Sequence, residues 1–338
     1  MKKSLYLMLT GLFALSLAAC GGGGGGGGYA GAGGGGGGGV IDKGPLSPFA
    51  GGATPVRQAN SLSDAIGVGP AAGLTATSTT PLYVNAMYEH NVAYQMAQGF
   101  GYQPYKLEVN GNKLVITGLG YTVAELNPQD FTVLDNNIVG ATFSGSGWGI
   151  GNRVLLLGGK AAGLEHTNFG AWMQRGPGTQ TNGEVINIDG YSLSAYSPFI
   201  MESTNAEKKA PATGAGAFTG TVMANASDST RREYLVGQAT LNVTGASSLA
   251  FTFPNFYTMT TGVNINGSGG ITQNGNFTLS DPAKNTTGIN LYADAATQSV
   301  AGQFYGKAAD ANATEAVGTF SYLNSSQRGV KGSFGVKQ

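Results

Sequence analysis

The sequence predicts a mainly β protein, in which a mixed, β-rich N-terminal domain precedes a soluble eight-stranded antiparallel β-barrel. Three observations carry this. After Pro211, short alternating apolar and polar runs recur at intervals of roughly ten to fifteen residues, with turn-rich polar stretches between them. Before Ser203 the pattern is mixed, with one helical pattern among the strand candidates. Only 11% of the 338 residues are charged, against 41% hydrophobic, which excludes a polyelectrolyte and a disordered acidic tail.

The first twenty residues are an address. Lys2 and Lys3 supply a positive start, and Leu5 to Leu17 is an apolar run short for a bilayer span, as in a secretory signal. The run ends in Leu17-Ala18-Ala19-Cys20, which resembles the bacterial lipobox. Residues 1–19 are therefore read as a lipoprotein signal peptide and Cys20, the sole cysteine, as the acylated mature N-terminus, held by diacylglycerol and palmitate-type chains. A single cysteine also excludes an internal disulfide and a Cys-based zinc site. Gly21, not Asp, follows it, so the resemblance to lipoprotein sorting rules implies the outer membrane.

Sixteen of the 58 glycines lie between Gly21 and Gly39, followed by Pro45 and Pro48. Residues 20–53 read as a disordered tether, since such a segment cannot bury enough surface to offset its ordering entropy. Its span is on the order of 30 Å, with a contour near ~110 Å. A leash of that length suits a body that meets something large.

Residues 54–205 form the first folded region. Tyr83 to Gln98 lacks Gly and Pro and fits one helix, with Val84, Met87, Tyr88, Val92 and Met96 on a broad face. Asn110-Gly111-Asn112 between Tyr105–Val109 and Lys113–Ile116 is a hairpin signal. Phe131 to Leu134, Ile138 to Phe143 and Arg153 to Leu157 are further strands. Ser203 to Ala210, polar and carrying Glu207-Lys208-Lys209, reads as an exposed loop.

Residues 206–338 carry the barrel pattern, in runs beginning at Phe218, Leu235, Leu249, Gly262, Asn276, Gly288, Val300, Val317 and Val330. In the second, Leu235, Gly237, Ala239, Leu241 and Val243 make the core face, with Val236, Gln238, Thr240 and Asn242 wet. About eight such strands close into a small barrel whose interior side chains fill. Gly302 and Gly318 leave room for Phe304 and Phe320. Polar outer faces argue against an integral outer-membrane barrel.

Lys plus Arg equals Asp plus Glu at 18 each, so no global basic surface exists to neutralise phosphates, and nucleic-acid binding is excluded. No Cys–His, Ser–His–Asp or paired-carboxylate spacing stands out, which argues against an enzyme. His90 and Tyr94 lie four apart on one helical face beside Met87 and Met96, the one place where imidazole, phenolate and thioether could serve haem iron. The same spacing equally describes an ordinary helix core. His166, after Glu165, has no second ligand at metal spacing. Gly145-Ser146-Gly147-Trp148-Gly149-Ile150-Gly151 lacks the Lys-Ser/Thr of a phosphate loop and reads as a mobile loop, with Trp148 at its tip a candidate interface anchor.

Specific residues suggest a family. Pro211-Ala212-Thr213-Gly214-Ala215-Gly216-Ala217-Phe218-Thr219-Gly220 resembles the opening of the barrel in transferrin-binding protein B and its relatives. Gly302-Gln303-Phe304-Tyr305-Gly306, then Glu315 and Gly318-Thr319-Phe320, resembles that family's segment near the C-terminus, and Phe334-Gly335 its closing strand. Asn168-Phe169-Gly170-Ala171-Trp172 is similar to the strand before the barrel. The length suits one handle and one barrel, as in the haemoglobin-binding lipoprotein HpuA and haemophilin-like haem carriers. The resemblance implies a surface-exposed outer-membrane lipoprotein, exported by a dedicated translocon and working beside a TonB-dependent receptor. Its implied ligands are haemoglobin first, transferrin, a complement regulator such as factor H for immune evasion or adhesion, or haem itself.

Overall fold

The computed structural model describes residues 46, 50–67, 74–77, 106–118, 121–144, 152–174, 196–203, 205–227, 232–257, 262–286, 295–324 and 329–338. Strands β1 (Pro55–Gln58), β2 (Leu74–Thr77), β3 (Lys106–Asn110), β4 (Lys113–Gly118), β5 (Tyr121–Leu126), β6 (Thr132–Leu134), β7 (Val139–Ser144), β8 (Asn152–Leu157), β9 (Thr167–Gln174) and β10 (Tyr196–Ser203) make one antiparallel sheet. Its order is β1-β6-β7-β8-β9-β10-β2-β3-β4-β5. This sheet is the handle. The expected hairpin is present, with Asn110 paired to Lys113 and Gly111 at φ 61°, as a two-residue turn starting on glycine requires. The short helix α1 (Leu62–Ile66) starts on Ser61, whose hydroxyl accepts the Asp64 N–H at 3.0 Å. The helix expected over Tyr83 to Gln98 lies outside the described residues.

The second sheet contains β11 (Ala206–Lys208), β12 (Gly216–Ser227), β13 (Arg232–Val243), β14 (Ser248–Tyr257), β15 (Gly262–Ile271), β16 (Asn276–Thr286), β17 (Ala295–Lys307), β18 (Glu315–Asn324) and β19 (Gly329–Lys337). β12 to β19 pair in sequence, β19 returns to β12, and β17 pairs β18, which closes an eight-stranded antiparallel barrel. The run expected from Gly288 lies outside the described residues. The expected loop at Ser203 to Ala210 is corrected: it ends β10 and then forms β11, which lies against Tyr305 to Lys307 of β17. The Lys209 ammonium holds it there by donating to the carbonyls of Lys307 and, at 2.8 Å, Asp310, so the charged run fastens the chain to the barrel.

The alternation read in β13 holds, with Leu235, Ala239, Leu241 and Val243 buried and Gln238 and Asn242 exposed. Inside the barrel, Phe304 meets Phe218 and Phe277 edge-on at centroid distances of 5.3 and 5.2 Å, contacts worth about 0.5–1.5 kcal/mol each beyond area burial. The glycines make room differently from the expectation. A Cβ on Gly302 would come within 2.3 Å of the Phe277 ring and one on Gly318 within 2.6 Å of the Phe334 ring. In both cases the ring belongs to the residue directly opposite on the neighbouring strand, not to a neighbour along the same strand.

Three apolar cores result. One fills the barrel, and one fills the handle around Leu107, Ile116, Phe131, Phe143, Trp172 and Phe199. The third lies between the sheets and joins Leu156, Phe169 and Ile200 of the handle to Met223, Tyr305 and Val317, which face outward from the barrel. The barrel's outer face is therefore apolar where the handle covers it. Leu46, Ala50 and Ala53 belong to this seam, since Leu46 and Ala50 are buried and a Cβ on Gly140 would strike Leu46 at 2.9 Å. Leu46, Ala50 and Ala53, from the stretch expected to be tether, are thus packed into the seam, Leu46 filling space that Gly140 leaves open and Val236 lying against Gly51.

Candidate functional site

Strand directions give the joined sheets two unlike ends. In the handle, the strand ends that flank residues 78–105, 145–151 and 175–195 all lie at one end. In the barrel, the ends that flank 228–231, 258–261, 287–294 and 325–328 likewise share one end. Contacts across the seam show that these two ends coincide. Tyr196, first residue of β10, lies 6.0 Å from Tyr234, near the start of β13. At the far end, residues 165–167 entering β9 meet Glu315 at the start of β18.

The far end carries the handle turns 111–112 and 135–138 and the connection 158–166, all hydrogen-bonded. Asn137 takes φ 60° in the three-residue turn from β6 to β7, where its N–H donates to the Leu134 carbonyl at 2.9 Å. Thr54 donates to Asp135 through its N–H at 3.1 Å and its hydroxyl at 2.7 Å, tying the chain leaving Ala53 to this turn. The segment that leads into the body is thus seated at the end opposite the long connections.

Two of the residues singled out in the sequence, His90 and Trp148, belong to 78–105 and 145–151. They, like Cys20, lie outside the described residues. His166 is described and is a seam residue: its N–H donates to Glu315 at 3.1 Å, its carbonyl accepts from Ser203 at 2.9 Å, and its imidazole is 4.0 Å from Glu165. Among the described residues no group of His, Cys, Asp and Glu is arranged to hold a metal ion.

The far end is also charged. Glu165 pairs with Lys337 and, at 3.8 Å, Lys307, and the Lys337 ammonium holds its carboxyl below the usual range. Arg57, with help from Lys160, pulls the Asp64 carboxyl far below its ordinary value. Burial raises the Tyr305 phenol, and its 2.6 Å hydrogen bond to Glu202 adds to that. A cleft of about 580 Å³ separates the β8–β9 turn from the barrel wall, lined by Lys160, Gly163, Thr219, Gln238 and Thr240. Its polar groups are neutral apart from Lys160, whose ammonium already pairs with Asp64.

No family model and no curated protein matches the chain. Solved structures do. The chain is similar to transferrin-binding protein B from Haemophilus parasuis, at 15% identity and a TM-score of 0.36, over 70% of this chain and 61% of that one. It is similar to the intact Ap-TbpB, with N and C lobes, at 14% identity and a TM-score of 0.38, over 70% and 61%. It is also similar to HpuA from Kingella denitrificans, determined in complex with human haemoglobin, at 14% identity and a TM-score of 0.31, over 70% and 83%. The chain spans about 61% of the length of the transferrin-binding proteins it matches.

Sequence reading did not place Met223, Tyr305, Val317, Ser333 and Glu315 at a seam, although Tyr305 and Glu315 belong to the C-terminal segment it singled out. A signal for the first three was present: each is apolar or aromatic at an outward position of a strand whose alternation calls for a polar one. Ser333, whose hydroxyl donates to the Gly170 carbonyl at 2.7 Å, and Glu315 gave no such signal, because their partners lie 163 and 148 residues away in sequence.

Proposed function

We propose that the chain is a surface-exposed, outer-membrane lipoprotein anchored through Cys20, which captures a host haem- or iron-carrying protein, haemoglobin first, and is not an enzyme. The observation that carries this reading is the division between the two ends. Thr54 is tied to the turn at Asp135, and the handle's two longest connections, 78–105 with His90 and 175–195, issue with 145–151 and its Trp148 from strand ends at the opposite side. A body anchored at one end presents the connections at its other end away from the membrane. The lipobox-like Leu17-Ala18-Ala19-Cys20 and the glycine-rich leash support the same reading, as does the resemblance of the barrel motifs. Export by a dedicated translocon and delivery to a TonB-dependent receptor belong to this proposal.

The test is a pull-down with residues 37–338, which keep Leu46, Ala50 and Ala53 in the seam, against haemoglobin, transferrin and factor H. An absorbance scan after haem addition accompanies it. Retention of haemoglobin is the expected result. Retention of factor H alone replaces the nutritional reading with immune evasion. A Soret band lost on His90→Ala, with no protein retained, replaces it with direct haem carriage.

A further inference from the structure

Most of the seam is apolar, and apolar contact is non-directional, so it does not by itself fix which register the handle takes on the barrel. Glu315 is different in kind. Its carboxylate is fully buried and its hydrogen bonds all cross the seam: it accepts the N–H groups of Glu165, His166 at 3.1 Å and Thr167 at 3.2 Å, and the Thr167 hydroxyl at 2.9 Å. Successive N–H groups converging on one anion form a concave binding site of the kind backbone turns build for carboxylates and phosphates. The nearby ammonium groups of Lys337 and Lys307 pair with Glu165, leaving the backbone of 165–167 as the recognition element for Glu315.

We propose that residues 165–167 of the handle are a carboxylate-binding site and that Glu315 is its built-in ligand, the key that sets the handle's register on the barrel. Around it, the Ser333 hydroxyl reaches Gly170, and a Cβ on Gly335 would lie 2.5 Å from the Phe169 ring, so small registry errors are not tolerated once the key is seated. Each sheet keeps its own core on either side, so loss of the key loosens the joint without dissolving the sheets.

Amide hydrogen exchange on the full chain tests this with Glu315→Gln and Glu315→Ala. The glutamine variant has the size of the original, but in either orientation of the amide an NH2 replaces one acceptor oxygen and faces at least one donor of 165–167. Exchange at residues 165–167 is expected to rise roughly 10- to 100-fold in both variants, while Phe218 to Val222 and Leu155 to Leu157 stay protected. Acetate is expected to slow it again in the alanine variant, and chloride at equal ionic strength is not. Unchanged exchange in the glutamine variant overturns the proposal in favour of plain packing. An equal loss across both cores, or no response to acetate, overturns it as well.

Discussion

Barrel strands run from 9 to 13 residues and pair around a full circle, whereas handle strands run from 3 to 8 and, among the described residues, end at β1 and β5. Closure gives every barrel strand a hydrogen-bonded neighbour on both sides. The handle obtains part of its order from elsewhere: its β9 and β10 lie on the barrel wall, and Phe169 is received by Gly335. One sheet is thus ordered by its own connectivity and the other by what it is laid upon.

Four substitutions sharpen that contrast. Phe334→Ala, inside the barrel against Gly318, is expected to cost about 3–5 kcal/mol, read as a lowered urea midpoint for the whole chain. A loss much smaller than this would mean that the barrel interior collapses around the hole. Leu46→Ala removes a buried seam residue and is expected to cost about 2–3 kcal/mol, with limited proteolysis rising first between residues 46 and 54. No change would detach the leash from the seam.

Asp64→Asn probes pH. The Asp64 carboxyl is held below its ordinary value in the folded chain, so its contribution is complete above the unfolded value near ~4 and is lost as pH falls through the folded one. The variant is expected to flatten the acid side of a stability profile below about pH 4 and to leave its shape near neutrality unchanged. An unaltered acid limb would assign that limb to other carboxylates. Lys113→Ala breaks an exposed pair with Glu125, 2.7 Å apart across β4 and β5, and is expected to shift stability by no more than about 0.5 kcal/mol. A larger loss would mark the β5 edge as a weak point of the handle.

Legibility followed the same division. The alternation from Leu235 to Val243 identified buried and exposed faces because a closed barrel imposes one inside and one outside on each strand. The hairpin at Gly111 was legible because it is local chemistry. By contrast, β10 was not identified as a strand: Tyr196-Ser197-Pro198-Phe199-Ile200-Met201 contains a proline and is buried on both faces, one toward Phe143 and Trp172, the other toward the barrel. The ring-over-glycine pairs need strand register, which sequence spacing does not state. The same is true of the seam, whose partners are far apart along the chain. Of the candidate site, the leash and the two residues His90 and Trp148 were legible as sequence features, while the end of the fold to which their segments connect followed only from strand order.

The seating of Leu46 to Thr54 decides how a load would travel. If the chain is anchored ahead of Leu46 and holds a molecule at the opposite end, as proposed, the load would run along the strands rather than across them. Strands drawn lengthwise must break many ladder hydrogen bonds together, whereas strands drawn sideways open one at a time. Resistance to forced opening is a matter of rate, and this layout places the slow route in the path of the force.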